Sequence, residues 1–529
     1  MLRRAPVLLA VLLLMLSACA SKKAVSDEAP LEVAPETAAA YAPADMDSSM
    51  RMAYPPDGER YARIEQNRVT RVVDQPVSTF SVDVDTGSYS NVRRMLNAGY
   101  LPPADAVRAE EFINYFDYDY APPTQREAPF AVHTELAPAP WAPNRHLLLV
   151  GLKGYELPSE ALPPANLVFL IDTSGSMMPA DKLPLLIDAF KQLVPKLRPQ
   201  DRVSIVVYAG SAGVVLEPTP GDRERVILAA LNRLEAGGST NGGAGIDLAY
   251  GLAREARIDS GINRVILATD GDFNVGVHDL ATLKARIAEH REQGIGLTTL
   301  GFGDDNYNDE LSEQLADIGN GNHAYIDSLN EANKVFGEEL SSTLFTIAHD
   351  VKVQVEFNPA LVAEYRLIGY ENRLLAREDF NDDRVDAGEI GAGHDVTALY
   401  EIVLVGSGGE RTDPLRYTAA ATSAAGAGEF AFVKLRYKTA QGADSQLLSI
   451  PVTRAQIAER ASARLQQAAA VAAFAQRLRG AQDAGLDFEA IADLARESSL
   501  PDRHGHRAEF VELVQRASAI AVGVTAASH

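Results

Sequence analysis

The sequence predicts a doubly wound α/β domain with a mostly parallel, Rossmann-like sheet, flanked by an antiparallel β-sandwich and closed by a helical C-terminal region. Three observations carry this. Residues 165–348 alternate short, continuously apolar runs with amphipathic stretches, the pattern of parallel strands covered by helices on both faces. After Asp350, in "VKVQVEFN", "EYRLIGYE", "VTALYEIVLV" and "GEFAFVKLRYK", the period drops to two, as in half-buried antiparallel strands. From about Thr453 the chain turns Ala-rich, with Ile457, Leu465, Phe474 and Leu478 at helical spacing. A chain of 529 residues is too long for one core, so several domains are expected.

The elements follow in order. "MLRRAPVLLAVLLLMLSAC" has Arg3 and Arg4, then an apolar core, then small residues before Cys19. Residues 1–18 therefore read as a secretory signal, too short to span a bilayer comfortably. Leu16-Ser17-Ala18-Cys19 resembles the bacterial lipobox, which implies cleavage before Cys19 and lipidation of that residue. Cys19 is the chain's sole cysteine, so neither an internal disulfide nor a structural zinc site of several thiolates is available. In a two-membrane bacterium, Ala20 after the cysteine implies the periplasmic face of the outer membrane by analogy with envelope sorting. Residues 19–69, rich in Ala, Pro, Glu and Asp, read as a disordered tether. About 50 such residues span roughly 35–40 Å.

Residues 70–128 read as a small α+β segment. "STFSVDVDTGSYSNVRRML" begins as a strand and continues as a helix, and "AVRAEEFINYFDYDY" is a second helix with a packing stripe of Phe112, Tyr115 and Phe116. Residues 129–164 supply two strands expected to pair with the sandwich of residues 349–452, which makes the α/β domain of 165–348 an insertion. Residues 453–529 form the helical C-terminal region, with Pro501 ahead of its last helix. The balance of 72 Asp+Glu against 49 Lys+Arg gives a net charge of −23, which disfavours nucleic acid and fits a cation-containing compartment.

The α/β domain raises the functional question. Its first strand, "NLVFLID", ends in Asp172, Ser174 and Ser176. In a doubly wound sheet, ligands sit beyond the carboxyl ends of the strands. "EAGGSTNGG" brings Thr240 toward that edge, and "ILATDGDFN" ends another strand at Asp270. Two carboxylates and three hydroxyls are hard oxygen donors, suited to Mg²⁺, Mn²⁺ or Ca²⁺. Five side chains cannot all bind directly and leave room for water and ligand, so some act through water.

Asp172-Thr-Ser174-Gly-Ser176, Thr240 and Asp270 in "TDG" together resemble the metal-ion-dependent adhesion site of von Willebrand factor type A domains. The resemblance implies that Ser174, Ser176 and Thr240 ligate a divalent cation directly, with Mg²⁺ first in line. It implies that Asp172 and Asp270 bind the ion directly or through water, and that the open position accepts an acidic residue of a protein partner. The whole organisation resembles bacterial lipoproteins that carry such a domain between an N-terminal extension and a C-terminal sandwich and helical region.

Other motifs read as structural. "DVDTGSYS" offers Asp83, Asp85, Ser88 and Ser90 but no companion loop, so it reads as a turn and helix cap. Asp272 reads as a solvated loop acid. "NDDRVDAGE", residues 381–389, lacks the ordered spacing of a calcium loop and reads as a hairpin loop. His504 and His506 read as exposed. There is no H-E-x-x-H, nucleophile elbow or phosphate-binding loop, and no general base stands near Asp172. The expectation is therefore a non-enzymatic envelope lipoprotein that binds a protein through a cation. The alternatives are a metal-independent scaffold acting through residues 350–526 and a metal-dependent hydrolase.

Overall fold

The computed structural model describes residues 58–124, 128–238, 242–271, 280–304, 307–412, 428–481 and 485–527. Cys19, Thr240 and Asp272 lie outside the described residues.

The inserted lobe is a six-stranded sheet. Its order is His323–Ile326, Gly296–Phe302, Ile262–Thr269, Ala165–Asp172, Arg202–Tyr208 and Ala212–Pro220. Every pairing is parallel except the last. Strand Ala165–Asp172 is buried along its whole length, because its side chains alternate between two apolar layers. Leu167, Phe169 and Ile171 enter one core, and Val168 and Leu170 the other. Complete burial of each such side chain contributes about 1.5–3 kcal/mol, so this strand is a fixed beam.

The α/β lobe is inserted between two strands of a β-sandwich. Strand Ala142–Gly154 pairs with Phe130–Ala139 on one side and Asp395–Leu404 on the other. Val362–Ile368 and the short Thr70–Arg71 complete that sheet. The facing sheet contains Gly388–Gly391, Thr346–Phe357, Glu429–Lys438 and Gln446–Thr453, with Val77–Ser81 also on Thr346–Phe357. The period of two is visible in Ala142–Gly154. Leu148, Val150 and Leu152 fill the space between the sheets. Leu147 and Leu149 point the other way, into a helical layer. That layer comprises helices Gly87–Asn97, Ala109–Asn114, Ala463–Leu478, Phe488–Glu497 and His506–Ala527. No helix among the described residues is long and apolar enough to cross a membrane.

Several expectations are corrected. The tether does not run to residue 69, because ordered chain begins by residue 58. Arg60 exchanges backbone hydrogen bonds with Tyr307 and Asp309, and Asn67 donates to the carbonyls of Leu367 and Gly369. Residues 70–128 are not a separate segment. Their strands join the sandwich, and their helices join the C-terminal ones, with Phe112 against Phe474 and Phe116 against Phe510. The α/β lobe ends near Leu344 rather than 348, since a sandwich strand starts at Thr346. Residues 381–389 lie on a crossover between the two sheets, not in a hairpin. His504 is exposed, but His506 is half-buried and packs edge-on against Tyr115 at 5.6 Å.

Candidate cation site

The site is built at the carboxyl edge of the parallel sheet. Strand register aligns Asp172 with Tyr208 and Ile171 with Ala268, so Asp270 emerges one residue past the end of the adjacent strand. Just beyond the strand, Ser174 N donates to Asp172 Oδ1 at 2.8 Å, an Asx turn that reverses the chain. The turn brings Ser174 Oγ to 2.9 Å from Ser176 Oγ at the start of the short helical turn Gly175–Met177. The glycine loop is tied to the same place. Gly237 N donates to Thr173 O at 2.8 Å, and Gly175 N donates to Gly238 O at 3.1 Å. Gly238 has φ +94°, which glycine adopts without strain. Helix Gly242–Glu255 then packs tightly on the sheet, where a Cβ at Gly245 would come to 2.9 Å from Tyr208 Cβ.

Both carboxylates are fully buried. Burial pushes the Asp172 carboxyl up to about 6, and the charge of Asp270 pushes the same way, against hydrogen bonding from Ser174. Asp270 Oδ2 accepts from Lys182 Nζ at 3.0 Å, and the lysine side chain is only 2% exposed. Asp172 Oδ2 and Asp270 Oδ1 are buried with no hydrogen-bond partner of normal geometry among the described residues. Buried carboxylate oxygens without partners are costly, and a divalent cation answers that cost. Two carboxylates beside two neighbouring hydroxyls are a hard-oxygen donor set, so these residues fit Mg²⁺, Mn²⁺ or Ca²⁺.

The structure thus brings together four of the five sequence-derived ligands: Asp172, Ser174, Ser176 and Asp270. The fifth, Thr240, follows Gly238 closely but is outside the described residues. Lys182 escaped the sequence reading. The signal available was a lone lysine at the head of the apolar helix Leu183–Leu193, ten residues after Asp172.

"DVDTGSYS" behaves differently. Asp83, Glu111 and Glu313 place carboxylate oxygens within 4.8 Å of one another, all buried. Two arginines already occupy this cluster. Arg108 pairs with Glu111, Asp309 and Glu313, and Arg373 with Asp83, Glu313 and Asp317. The expected turn is present, with Asp85 N donating to Asp83 Oδ1. The expected cap is corrected: Thr86 makes no side-chain cap, and Ser88 N at the helix start donates to Glu111 Oε2 at 2.7 Å. Glu111 and Glu313 come from distant segments and gave no signal in the sequence.

Comparison with known proteins agrees with this anatomy. Residues 166–338 match the model of the von Willebrand factor type A domain, residues 55–149 a von Willebrand factor model, and residues 342–520 the model of the C-terminal region of uncharacterized protein YfbK. The chain is 46% identical over 474 residues to uncharacterized protein YfbK of Escherichia coli strain K12, covering 88% of this chain and 82% of that one. It is 29% identical over 189 residues to uncharacterized protein sll0103 of Synechocystis, covering 35% of this chain and 44% of the other. Among solved structures, a von Willebrand factor type A protein from Catenulispora acidiphila aligns with TM-score 0.41 and 19% identity, covering 76% of this chain and 91% of that one. Type A domains generally mediate protein interactions and often hold a divalent cation. The chain belongs to the YfbK family of proteins, built around a von Willebrand factor type A domain.

Proposed function

We propose that this protein is a lipid-anchored component of the bacterial envelope that captures a protein partner through a divalent cation at the Asp172 site. The observation that carries the reading is the pair of fully buried carboxylates, Asp172 and Asp270, whose Oδ2 and Oδ1 respectively find no hydrogen-bond partner of normal geometry among the described residues, beside the facing hydroxyls of Ser174 and Ser176. Asp172, Ser174, Ser176 and Asp270 would hold the ion, with Thr240 as the fifth donor. When bound, the cation supplies a Lewis-acidic position for a carboxylate of the partner. The chain's own residues do the remaining work. Strand Ala165–Asp172 fixes Asp172, the Asx turn presents both serines to the same side, and Gly237 and Gly238 hydrogen-bond to the backbone of Thr173 and Gly175 beside them. The net charge of −23 repels an acidic partner at long range, so a local positive charge is what permits docking. Mg²⁺ is the first choice, because it retains waters that Asp172 and Asp270 can hold by hydrogen bonds.

The reading is non-enzymatic and places the anchor at Cys19, on the periplasmic face of the outer membrane. The test is capture of partners from envelope extracts in MgCl₂ and in chelator, using full-length wild type, Asp172→Ala and Cys19→Ser. Capture should require the divalent ion and Asp172, and the Cys19→Ser protein should leave the membrane fraction while still capturing. Capture that persists in chelator with Asp172→Ala would transfer the function to residues 350–526.

A further inference from the structure

We propose that Lys182 is a built-in competitor at this site: its ammonium neutralises Asp270 until a divalent ion displaces it, so the lysine sets the site's cation affinity. The inference rests on the cation reading above and adds the means of its regulation.

The geometry is specific. Lys182 Nζ lies 3.0 Å from Asp270 Oδ2, and its side chain is 2% exposed. Lysine almost never enters an interior unpaired, and here the pairing carboxylate is itself a cation ligand. A divalent ion at Asp270 would sit next to this ammonium, and like charges at that separation in a buried site repel strongly. The lysine must therefore withdraw for Asp270 Oδ2 to serve the ion.

The resting place of the stem is built into the fold. A Cβ at Gly303 would fall 2.2 Å from Lys182 Cε and 2.4 Å from Lys182 Cγ, so the stem lies in a slot that exists only because residue 303 has no side chain. Gly303 has φ +71°, a conformation other residues rarely adopt. The slot follows strand Gly296–Phe302, and Lys182 immediately precedes helix Leu183–Leu193. Exchange of ammonium for metal would therefore move the stem past the end of that strand and alter the first turn of that helix. Ion loading would in this way be felt on the face around the site.

Two measurements on the full folded chain test this, with MgCl₂ as the probe and MnCl₂ and CaCl₂ in its place should Mg²⁺ not bind. By calorimetry, Lys182→Met should bind Mg²⁺ about tenfold or more tightly than wild type, because a competing charge is gone while the buried stem is kept. Lys182→Gln serves the same purpose should the methionine variant not fold. By mass spectrometry after brief amine acetylation, Lys182 should be protected without Mg²⁺ and become reactive with it, the reverse of ordinary ligand protection. Unchanged or weaker affinity in the variants overturns the proposal, since Lys182 would then be a bystander or a support for Asp270. Affinity that rises while Lys182 stays protected also overturns displacement, because the ion would be using Asp270 Oδ1 with the lysine in place. If neither wild type nor variants bind Mg²⁺, Mn²⁺ or Ca²⁺, the cation reading itself fails and this inference with it.

Discussion

Two stretches of the chain look alike and behave oppositely. "DTSGSMM" at 172–178 and "DVDTGSYS" at 83–90 both place acids, then hydroxyls, where a strand ends and the chain turns toward a helix. What separates them is the counter-charge. Around Asp172 the one lysine pairs with Asp270, and among the described residues one oxygen of each buried carboxylate keeps no hydrogen-bond partner of normal geometry. Around Asp83 the oxygens are taken: Arg373 Nε donates to Asp83 at 3.0 Å, the backbone of His323 donates to Asp85 at 2.8 Å, and Arg108 pairs with Glu111 and Asp309. His323, held neutral by burial with its ring pushed down to about 4, adds no charge. The second cluster joins the first helices, the α/β lobe and the sandwich crossover in one place. It is a joint between lobes, whereas the first, on the function proposed above, is a receptor for something outside the chain. An acid-and-hydroxyl motif signals a cation only when the fold has not already supplied one.

The sharpest way to break the comparison is to remove a built-in cation. Arg108→Met should cost about 3–5 kcal/mol, because Glu111, Asp309 and Glu313 remain buried without their shared partner. The midpoint of thermal unfolding should fall accordingly. Asp172→Ala removes a buried carboxylate that lacks a full set of partners, and should lower the midpoint far less. If Arg108→Met unfolds with wild-type stability, the Asp83 cluster is not a joint.

The joint also has a pH signature. Burial raises Glu313 to about 7 and Glu111 to about 8, with Arg108 opposing in both and Arg373 also opposing at Glu313, while Asp83 and Asp309 push upward. A carboxyl raised on folding binds its proton more tightly in the folded chain. Its contribution is full below about pH 4.5 and is lost as pH rises through the folded value. Stability should therefore decline between about pH 5 and 8, by about 2–3 kcal/mol from Glu313 alone. Glu313→Gln should flatten that slope in a series of denaturant titrations. A stability that rises over the same interval would show that the two arginines dominate the cluster.

Legibility in the sequence followed locality. The α/β sheet was plain because each strand is a continuous apolar run whose role does not depend on distant residues. Asp172, Ser174 and Ser176 were plain as candidates because three oxygen donors sit within five residues at a strand end, and Asp270 because it follows "ILAT". Lys182 was not, because its meaning depends on Gly303 leaving a slot and on Asp270 lying at the end of it. Arg108, Glu111, Glu313 and Arg373 come from four segments that only the packed lobes bring together. The strand Val77–Ser81 suggested a small separate unit because its partner, Thr346–Phe357, lies on the far side of the whole inserted domain. Local periodicity does not encode such distant pairing.

The smallest expected effect is also the one that addresses the first site alone. A ligand that binds only the folded chain stabilises it by mass action, about 1.4 kcal/mol at ten times its dissociation constant. Wild type should therefore unfold at a higher temperature as MgCl₂ is raised, and Asp172→Ala should not respond. Arg108→Met, destabilised but with its Asp172 site intact, should show the same Mg²⁺ increment as wild type, because distant and independent contributions add. An increment that vanishes in Arg108→Met would mean that the joint and the receptor are energetically one unit. The contrast between a cluster closed by its own arginines and a site left open for a metal would then have to be redrawn as a single, coupled network running through Asp309 and His323 to the carboxyl edge of the sheet.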